Sequence, residues 1–375
     1  MKICINAIST RGSSGIRSYF KIICTELPRR NPDIEFLFLV NSEIERDLDK
    51  TLKNVNVIVS SMSNGWKRTF YEQLIFPFVA RRNKVDLIYM MSVFDIFFAP
   101  CPTIIRVGNM LPYEKDIVMR HKYVKTIFRL FLLRFTTWIS MRSSDATMVM
   151  SEPAADILKS KYPKMANKIR GIYRGVDSSF LSNCRIDDLN LPSEYILVYS
   201  HLQEHKDLET VIRGYALLKE KVKAPPLVIV GGKDNLRYLR LLEALVDEKN
   251  LHEYVKFTGG FDRKYVGELI RNSLCVIFPS LVETMPVTLA EEMLCGAAIV
   301  ACDSGVTPGI AGDSVLYYTP GSALQLSDRV EEVVKQSSLR EKLGASAISR
   351  AKNLFSWDKA LTKRIEFFRE IHDRV

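Results

Sequence analysis

The sequence predicts an α/β protein built from two doubly wound halves. Three observations lead there. Short apolar runs of strand length alternate with amphipathic helical stretches, the same alternation restarts near residue 195, and 375 residues are too many for one ordinary core. Apolar residues make up 47% and charged residues 26%, the balance of a globular chain rather than a disordered or fibrous one.

The first half opens with KICINAI, a β-type run that ends in TRGSSG and is followed by the helical pattern IRSYFKIICTELPRR. Further strand-like runs lie at 34–40, 55–60, 85–90, 102–107 and 146–151, with helical stretches between them. Strands alternating with helices argue for a parallel sheet covered on both faces. In the second half YILVYS, PPLVIVGG, VKFTGG, LCVIFPS, AAIVACD and VLYYTP read as strands. DLETVIRGYALLKE, LRYLRLLEALVDEKN, RKYVGELIRNS and PVTLAEEMLCGA read as helices between them. The polar stretch LSNCRIDDLNLPSE (181–194), with Pro192, is a plausible hinge. The expected domains are 1–185 and 192–355, with 356–375 a terminal helix packing back toward the first. A ligand is expected at the carboxyl ends of the strands and in a cleft between the domains.

The formal charge of +10 is unevenly placed: residues 1–190 hold 29 Lys and Arg against 18 Asp and Glu, whereas the remainder is nearly neutral. Such asymmetry suggests that the first half faces something acidic. The seven scattered cysteines form no C-x-x-C, so neither a disulfide framework nor a cysteine zinc site is indicated, and a cytoplasmic setting is expected. The most membrane-like run, 87–105, carries Asp95, Pro100 and Pro102; the Asp alone would cost roughly 2.5–3.5 kcal/mol at a membrane centre. No transmembrane helix is read.

SHLQEHKDLE (200–209) contains H-x-x-E-H, which on a continuous helix is a zinc site. Here the preceding YILVYS is a strand and the next helix is best started near Asp207, as its cap. His201, Glu204 and His205 therefore fall in a loop, where nothing fixes two histidines on one face. The loop is either merely exposed or phosphate-facing; Lys206, just before a helix N-terminus at the end of a strand, favours the phosphate.

PSLVETMPVTLAEEMLCGAAIVACDSG (279–305) is the most informative segment. A strand ends at Ser280, Pro286 fits the first turn of a helix, and Thr284 is a candidate cap. Glu283 would precede that helix and Glu291 would lie two turns in. The two carboxylates either hold separate hydroxyl groups of one elongated ligand or are solvated surface acids.

E-x7-E, here Glu283 to Glu291, followed by MLCGAAIVA, resembles the signature of the retaining glycosyltransferases of family four, often called group 1. Other landmarks resemble that family in order: RTFYEQLIFPFVARRNKVDLIY, SEPAADILKSKYP, IYRGVD, YILVYSHLQEHKDLETVIRGYALLK, VKFTGG, AGDSVLYYTPGS and FSWDKA. The resemblance implies the GT-B fold, two Rossmann-like domains facing across a cleft. It implies that Lys206 and the residue at His201 contact a donor diphosphate, and that Glu283 meets the transferred sugar with Thr284, Met285 and Val287 nearby. It implies that Glu291 holds the ribose and that the Gly12 to Gly15 loop closes over the diphosphate. Three positions depart from the family's usual pattern. His201 stands where arginine is usual, and Pro286 where glycine is commonest. Gly108 and Asn109 stand where His-Asp often follows the PTII strand, which leaves Asn109 as the acceptor-side candidate.

The function implied is transfer of a glycosyl group from a nucleotide diphosphate sugar to an acceptor hydroxyl, retaining anomeric configuration. No cofactor or metal is expected, since no Asp-x-Asp motif appears at a plausible place. The acceptor expected from family habit is a glycan or lipid-linked glycan of cell-surface polysaccharide or lipopolysaccharide biosynthesis. Alternatives are a catalytically inactive homologue acting as a binding subunit, or a nucleotide-sugar epimerase or phosphorylase on the same fold. A dehydrogenase is disfavoured because neither first strand is followed by a full G-x-G-x-x-G. Residues 119–142 mix Arg120, Lys122, Lys125, Arg129, Arg134 and Arg142 with Phe128, Phe131, Leu132, Phe135 and Trp138. That is the composition of a helix lying on the inner face of an anionic membrane, or of a helix whose apolar side is core. No nucleic-acid motif accompanies the charge.

Overall fold

The computed structural model describes the chain except residues 11–13, 63–64, 121–123, 182–185, 187, 188 and 375. Thirteen strands among the described residues form two wholly parallel sheets. The first contains β1 (Lys2–Asn6), β2 (Glu35–Val40), β3 (Val55–Val59), β4 (Leu87–Met90), β5 (Thr103–Val107), β6 (Ala146–Val149) and β7 (Ile169–Gly171), in the order β3-β2-β1-β4-β5-β6-β7. The second contains β8 (Ile196–Tyr199), β9 (Leu227–Val230), β10 (Val255–Gly259), β11 (Cys275–Phe278), β12 (Ile299–Cys302) and β13 (Leu316–Tyr318), in the order β10-β9-β8-β11-β12-β13. The central strands are buried end to end, which is why they read as unbroken apolar runs rather than alternating ones. β7 was not expected; with three residues it is too short to leave a pattern.

Each sheet reverses its winding once, between β1 and β4 and between β8 and β11. Such switch points leave a crevice beyond the carboxyl ends of the two strands.

Contacts divide the chain into two compact units. One holds Met1–Tyr113, Tyr123–Arg174 and Trp357–Val375, the other Glu114–Lys122 and Gly175–Ser356. The division falls at Arg174, ahead of the polar stretch expected to hold it. The reason lies at Ser178–Leu181, which packs on the Arg263–Arg271 helix of the second unit. There the Phe180 carbonyl oxygen lies 2.3 Å from where a Cβ on Gly267 would stand, and Arg263 stacks on the Phe180 ring at 5.4 Å. The Trp357–His372 helix belongs to the first unit and touches the Ser14–Arg30 helix.

Candidate functional site

The loops after β8 and β11 meet at the second sheet's switch point. β8 ends at Tyr199, and Glu204–Lys206 forms a single 3-10 turn closed by Asp207 in the left-handed conformation. His201 and His205 therefore share no helical face. The next helix, Leu208–Lys221, lacks the side-chain cap expected of Asp207, whose carboxylate instead accepts from the Thr210 hydroxyl at 2.8 Å. A Cβ on Gly231 would lie 1.9 Å from the Ser200 carbonyl oxygen, so only glycine lets the end of β9 pack beside this loop.

The Leu281 amide donates to the His205 carbonyl at 2.9 Å, fastening the β11 loop to the β8 loop. On this clasp the Lys206 ammonium forms an ion pair with the Glu283 carboxylate, both side chains mostly buried. The Ser280 hydroxyl donates to Glu283 at 2.8 Å, and the Ser304 hydroxyl donates to the Leu281 carbonyl at 2.7 Å. Lys206 and Glu283, separated by 77 positions, are thus brought into contact.

The following helix is Val287–Leu294. Pro286, with an extended ψ of 96°, is its N-cap rather than a first-turn residue, and its carbonyl accepts the first helical bond from Ala290. Thr284 accordingly stands ahead of the N-cap position; it and Met285 are buried. Val287 is the first helical residue. Glu291 lies little more than one turn in, not two, because the helix starts later than the proline suggested. The opening amides of this helix point their partial positive charge at the Lys206–Glu283 pair's end of the loop.

Glu291 is almost wholly buried and its Oε1 lies 2.6 Å from the Arg263 guanidinium. Glu292, the next residue, is fully buried, and among the described residues neither of its carboxyl oxygens has a hydrogen-bond partner. Burial, then the charge of Glu291, push its pKa well above the usual carboxylate range, against a lowering by Lys206. His201 is exposed and lies beside Gly232 and Asp234.

Gly15 lies in the first turn of the Ser14–Arg30 helix, after β1, and Gly12 is outside the described residues. Asn109 is exposed after β5, its side-chain oxygen accepting from the Leu111 amide at 2.9 Å. Both belong to the first unit. Arg263, Ser280 and Glu292 are site features that the sequence reading missed. Glu292 did leave a signal, since a second acid in a helix otherwise as apolar as VTLAEEML has nowhere solvated to go.

Residues 185–350 match the family described as glycosyl transferases group 1, and residues 13–180 match glycosyltransferase family 4. Among curated proteins, a serotype-specific mannosyltransferase, WbdA, of Escherichia coli is 24% identical over 60% of this chain and 29% of its own length. The human alpha-1,3/1,6-mannosyltransferase ALG2 is 20% identical over 66% of this chain and 64% of its own. A Campylobacter jejuni enzyme named as an N-acetylgalactosamine-N,N'-diacetylbacillosaminyl-diphospho-undecaprenol 4-alpha-N-acetylgalactosaminyltransferase is 26% identical over 48% of this chain and 47% of its own. The chain thus spans less than two thirds of each of these relatives. Among solved structures, sucrose-phosphate synthase from Thermosynechococcus elongatus superposes with a TM-score of 0.72 at 17% identity, covering 100% of both chains. Anabaena HepE in complex with UDP-glucose gives 0.71 at 17%, covering 99% of this chain and 100% of its own. WaaG, a glycosyltransferase involved in lipopolysaccharide biosynthesis, gives 0.68 at 14%, covering 98% and 99%.

Proposed function

We propose, for a chain that belongs to the glycosyltransferases of group 1 and family 4 and has their GT-B fold, that it moves a sugar from a nucleotide diphosphate sugar to an acceptor hydroxyl with retention of anomeric configuration. The observation that carries this reading is the Lys206–Glu283 pair at the β8/β11 switch point, beside a helix N-terminus. As the glycosidic bond breaks, negative charge collects on the departing diphosphate while the sugar turns oxocarbenium-like. Lys206 and the opening amides of the Val287–Leu294 helix bear that charge without a metal. Glu283, released from Lys206 as the diphosphate takes its place, meets the sugar. Glu291 holds the ribose, and His201 lies along the diphosphate. The deciding experiment is a donor panel: release of nucleoside diphosphate from several nucleotide sugars, with Lys206→Ala beside the parent chain. Turnover of one donor that collapses in Lys206→Ala supports the reading, and no turnover of any donor with any glycan acceptor defeats it.

The acceptor we propose is a lipid-linked glycan met at an anionic membrane, as in cell-surface polysaccharide or lipopolysaccharide assembly. The Campylobacter relative's name specifies a diphospho-undecaprenol acceptor, and the first unit of this chain exposes apolar side chains where a soluble helix would expose polar ones. On the Val124–Ser143 helix the outward side carries Val124, Phe128, Phe131, Leu132, Phe135 and Trp138, while Leu130, Thr137, Ser140 and Met141 are buried. A second exposed row, Trp66, Phe70, Leu74 and Phe78, advances in steps of four. Each step overshoots an α-helical turn, and the π turn at Tyr71–Ile75 absorbs part of the drift, keeping the row on one side.

The two rows are joined through the loop bearing exposed Phe97 and Phe98. Gln73 donates to the Asp95 carbonyl at 2.7 Å and accepts from the Phe97 amide at 3.1 Å. The Asp95 amide donates to Ser140 at 3.1 Å, and Ser143 donates to the Asp95 carboxylate at 2.5 Å. Lys67, Arg81, Arg82, Lys125, Arg129 and Arg142 are exposed on these segments, whose acids, Glu72 and Asp95, are both buried. An apolar surface edged by cations alone suits an anionic bilayer and would repel a second copy of itself. No helix among the described residues is long and apolar enough to cross a membrane.

A further inference from the structure

At the other switch point, within the first unit, buried hydrogen-bond donors gather without acceptors. Arg364, on the Trp357–His372 helix, is 0% exposed, and none of its three guanidinium nitrogens has a hydrogen-bond partner among the described residues. The hydroxyls of Tyr19 and Tyr89, 1% and 0% exposed, face each other and have no other partner among the described residues; Arg106 Nε, whose neighbouring Nη2 donates to the Met91 carbonyl at 3.2 Å, and the Trp357 indole N–H have none. These groups are close together. The guanidinium carbons of Arg106, Arg174 and Arg364 lie 5.6, 5.2 and 5.4 Å from the centre of the Tyr19 ring. Trp357 packs against Tyr19 at 6.1 Å between ring centres. Burial, then the neighbouring Tyr19, raise the Tyr89 hydroxyl's pKa, while the charges of Arg106 and Arg364 act to lower it.

The placement follows from the fold. Tyr89 is the next-to-last residue of β4 and Arg106 of β5, so both lie at carboxyl ends of first-sheet strands, and Tyr19 is on the helix that follows β1. The terminal helix lays Arg364 onto them. A buried, unpaired guanidinium is strongly unfavourable, and stacking on one tyrosine face returns only a small part of that cost. Among the described residues no carboxylate pairs with Arg106 or Arg364. Guanidinium forks with hydroxyl and indole N–H donors are the chemistry that takes an oxyanion rich in acceptors, such as phosphate. Arg106, Arg174 and Trp357 are only partly buried, which leaves a side for entry.

We propose that this cluster is a binding site for a phosphate-class oxyanion, held by Arg364 and Arg106 with Tyr19, Tyr89 and Trp357, and separate from the donor site at Lys206. The phosphate has two sources, free inorganic phosphate or the phosphate of a lipid diphosphate acceptor; only the second rests on the function proposed above.

The test is titration of the full chain with inorganic phosphate, read by calorimetry and by melting temperature, with chloride at equal ionic strength as reference. A Lys206→Ala background removes the donor site's contribution. The expected result is phosphate-specific stabilisation that persists with Lys206→Ala and disappears with Arg364→Met. Tyr89→Phe, which deletes one donor and keeps the ring, should weaken phosphate by about tenfold, the worth of one charge-assisted bond. Should Arg364→Met fail to fold, Tyr89→Phe and Arg106→Met decide. The proposal is overturned if chloride stabilises as well as phosphate, if the response vanishes with Lys206→Ala, or if Arg364→Met keeps it. It is also overturned if Arg364→Met melts higher than the parent chain with and without phosphate, the mark of a dry stack. A short-chain alkyl diphosphate in micelles identifies the source. Binding that Arg364→Met also abolishes assigns the site to the acceptor, and binding that it spares, with inorganic phosphate lost, assigns it to a free anion.

Discussion

Arg263 covers Glu291: its guanidinium nitrogen lies 2.6 Å from the Glu291 carboxylate, with the arginine side chain 45% exposed and the glutamate 1%. The carboxylate is dry and its partner stands at the solvent edge, stacked on Phe180. In the proposed donor complex, a ribose at Glu291 would displace Arg263 toward water. Breaking a buried ion pair from one side costs about 3–5 kcal/mol, less where one partner is half solvated. Arg263→Ala is therefore expected to lose about 1–3 kcal/mol of stability in denaturant melts. Adding Glu291→Gln should restore most of that loss, since the amide carries no charge to be stranded. Strictly additive losses would show that the two side chains are not coupled.

Donor affinity tests the proposed ribose role directly. Glu291→Ala should weaken nucleoside diphosphate binding by about tenfold or more, the worth of a charge-assisted hydrogen bond or two. Titration calorimetry on the folded variant reads it. Unaltered affinity would remove Glu291 from the donor site.

Lys206 is held by Glu283, so in the proposed reaction a diphosphate would exchange one anionic partner for another. If, as proposed, its charge acts where charge develops, Lys206→Ala lowers turnover by about 10²–10³. Its melting temperature should fall, because the mostly buried Glu283 loses its cation, but the chain should still fold, since Ser280 still donates to Glu283 and the loops remain fastened through Leu281 and His205. A chelator should leave parent turnover unaltered; loss of activity with EDTA, restored by a divalent ion, would refute the metal-free charge assignment.

Most strands were legible because buried parallel strands write themselves as continuous apolar runs, whereas β7 is too short to do so. The loop–helix boundaries were less legible. Pro286 suits a first helical turn as well as an N-cap, and only its ψ distinguishes them. Asp207 looked like a cap, yet its left-handed backbone turns the carboxylate to Thr210. Lys206 and Glu283 could be named from local spacing and resemblance, but their contact depends on strands β8 and β11 lying side by side across a crossover. Arg263 and the Arg364 cluster assemble residues from elements remote in sequence, and no local pattern announces them.

Glu292 makes stability depend on pH. Its pKa is raised in the folded chain, so the folded state holds a proton that the unfolded state has released. Above the ordinary carboxylate pKa, about 4.3, the folded form binds more protons than the unfolded form, and stability falls as pH rises until the folded pKa is passed. Glu292→Gln keeps the shape and removes the ionisation. The variant should melt close to the parent near pH 4 and higher than it at pH 8. Equal melting curves at both pH values would show that Glu292 ionises in the folded chain as it does unfolded.

The proposed membrane binding turns on which side of the Val124–Ser143 helix faces outward. Phe128 and Phe135, 68% and 56% exposed, contribute little to the first unit's own packing, so Phe128→Ser with Phe135→Ser should melt near the parent chain. Each ring inserted into a bilayer is worth about 1.5–3 kcal/mol, about tenfold or more in partition, so losing both should cut vesicle binding by about 10². Sedimentation with vesicles containing anionic lipid reads the loss. Salt should weaken the parent's binding further, because exposed Lys125 and Arg129 act through a screened field. A parent chain that ignores anionic vesicles, or a double serine variant that binds them equally well, would show that these side chains serve another contact.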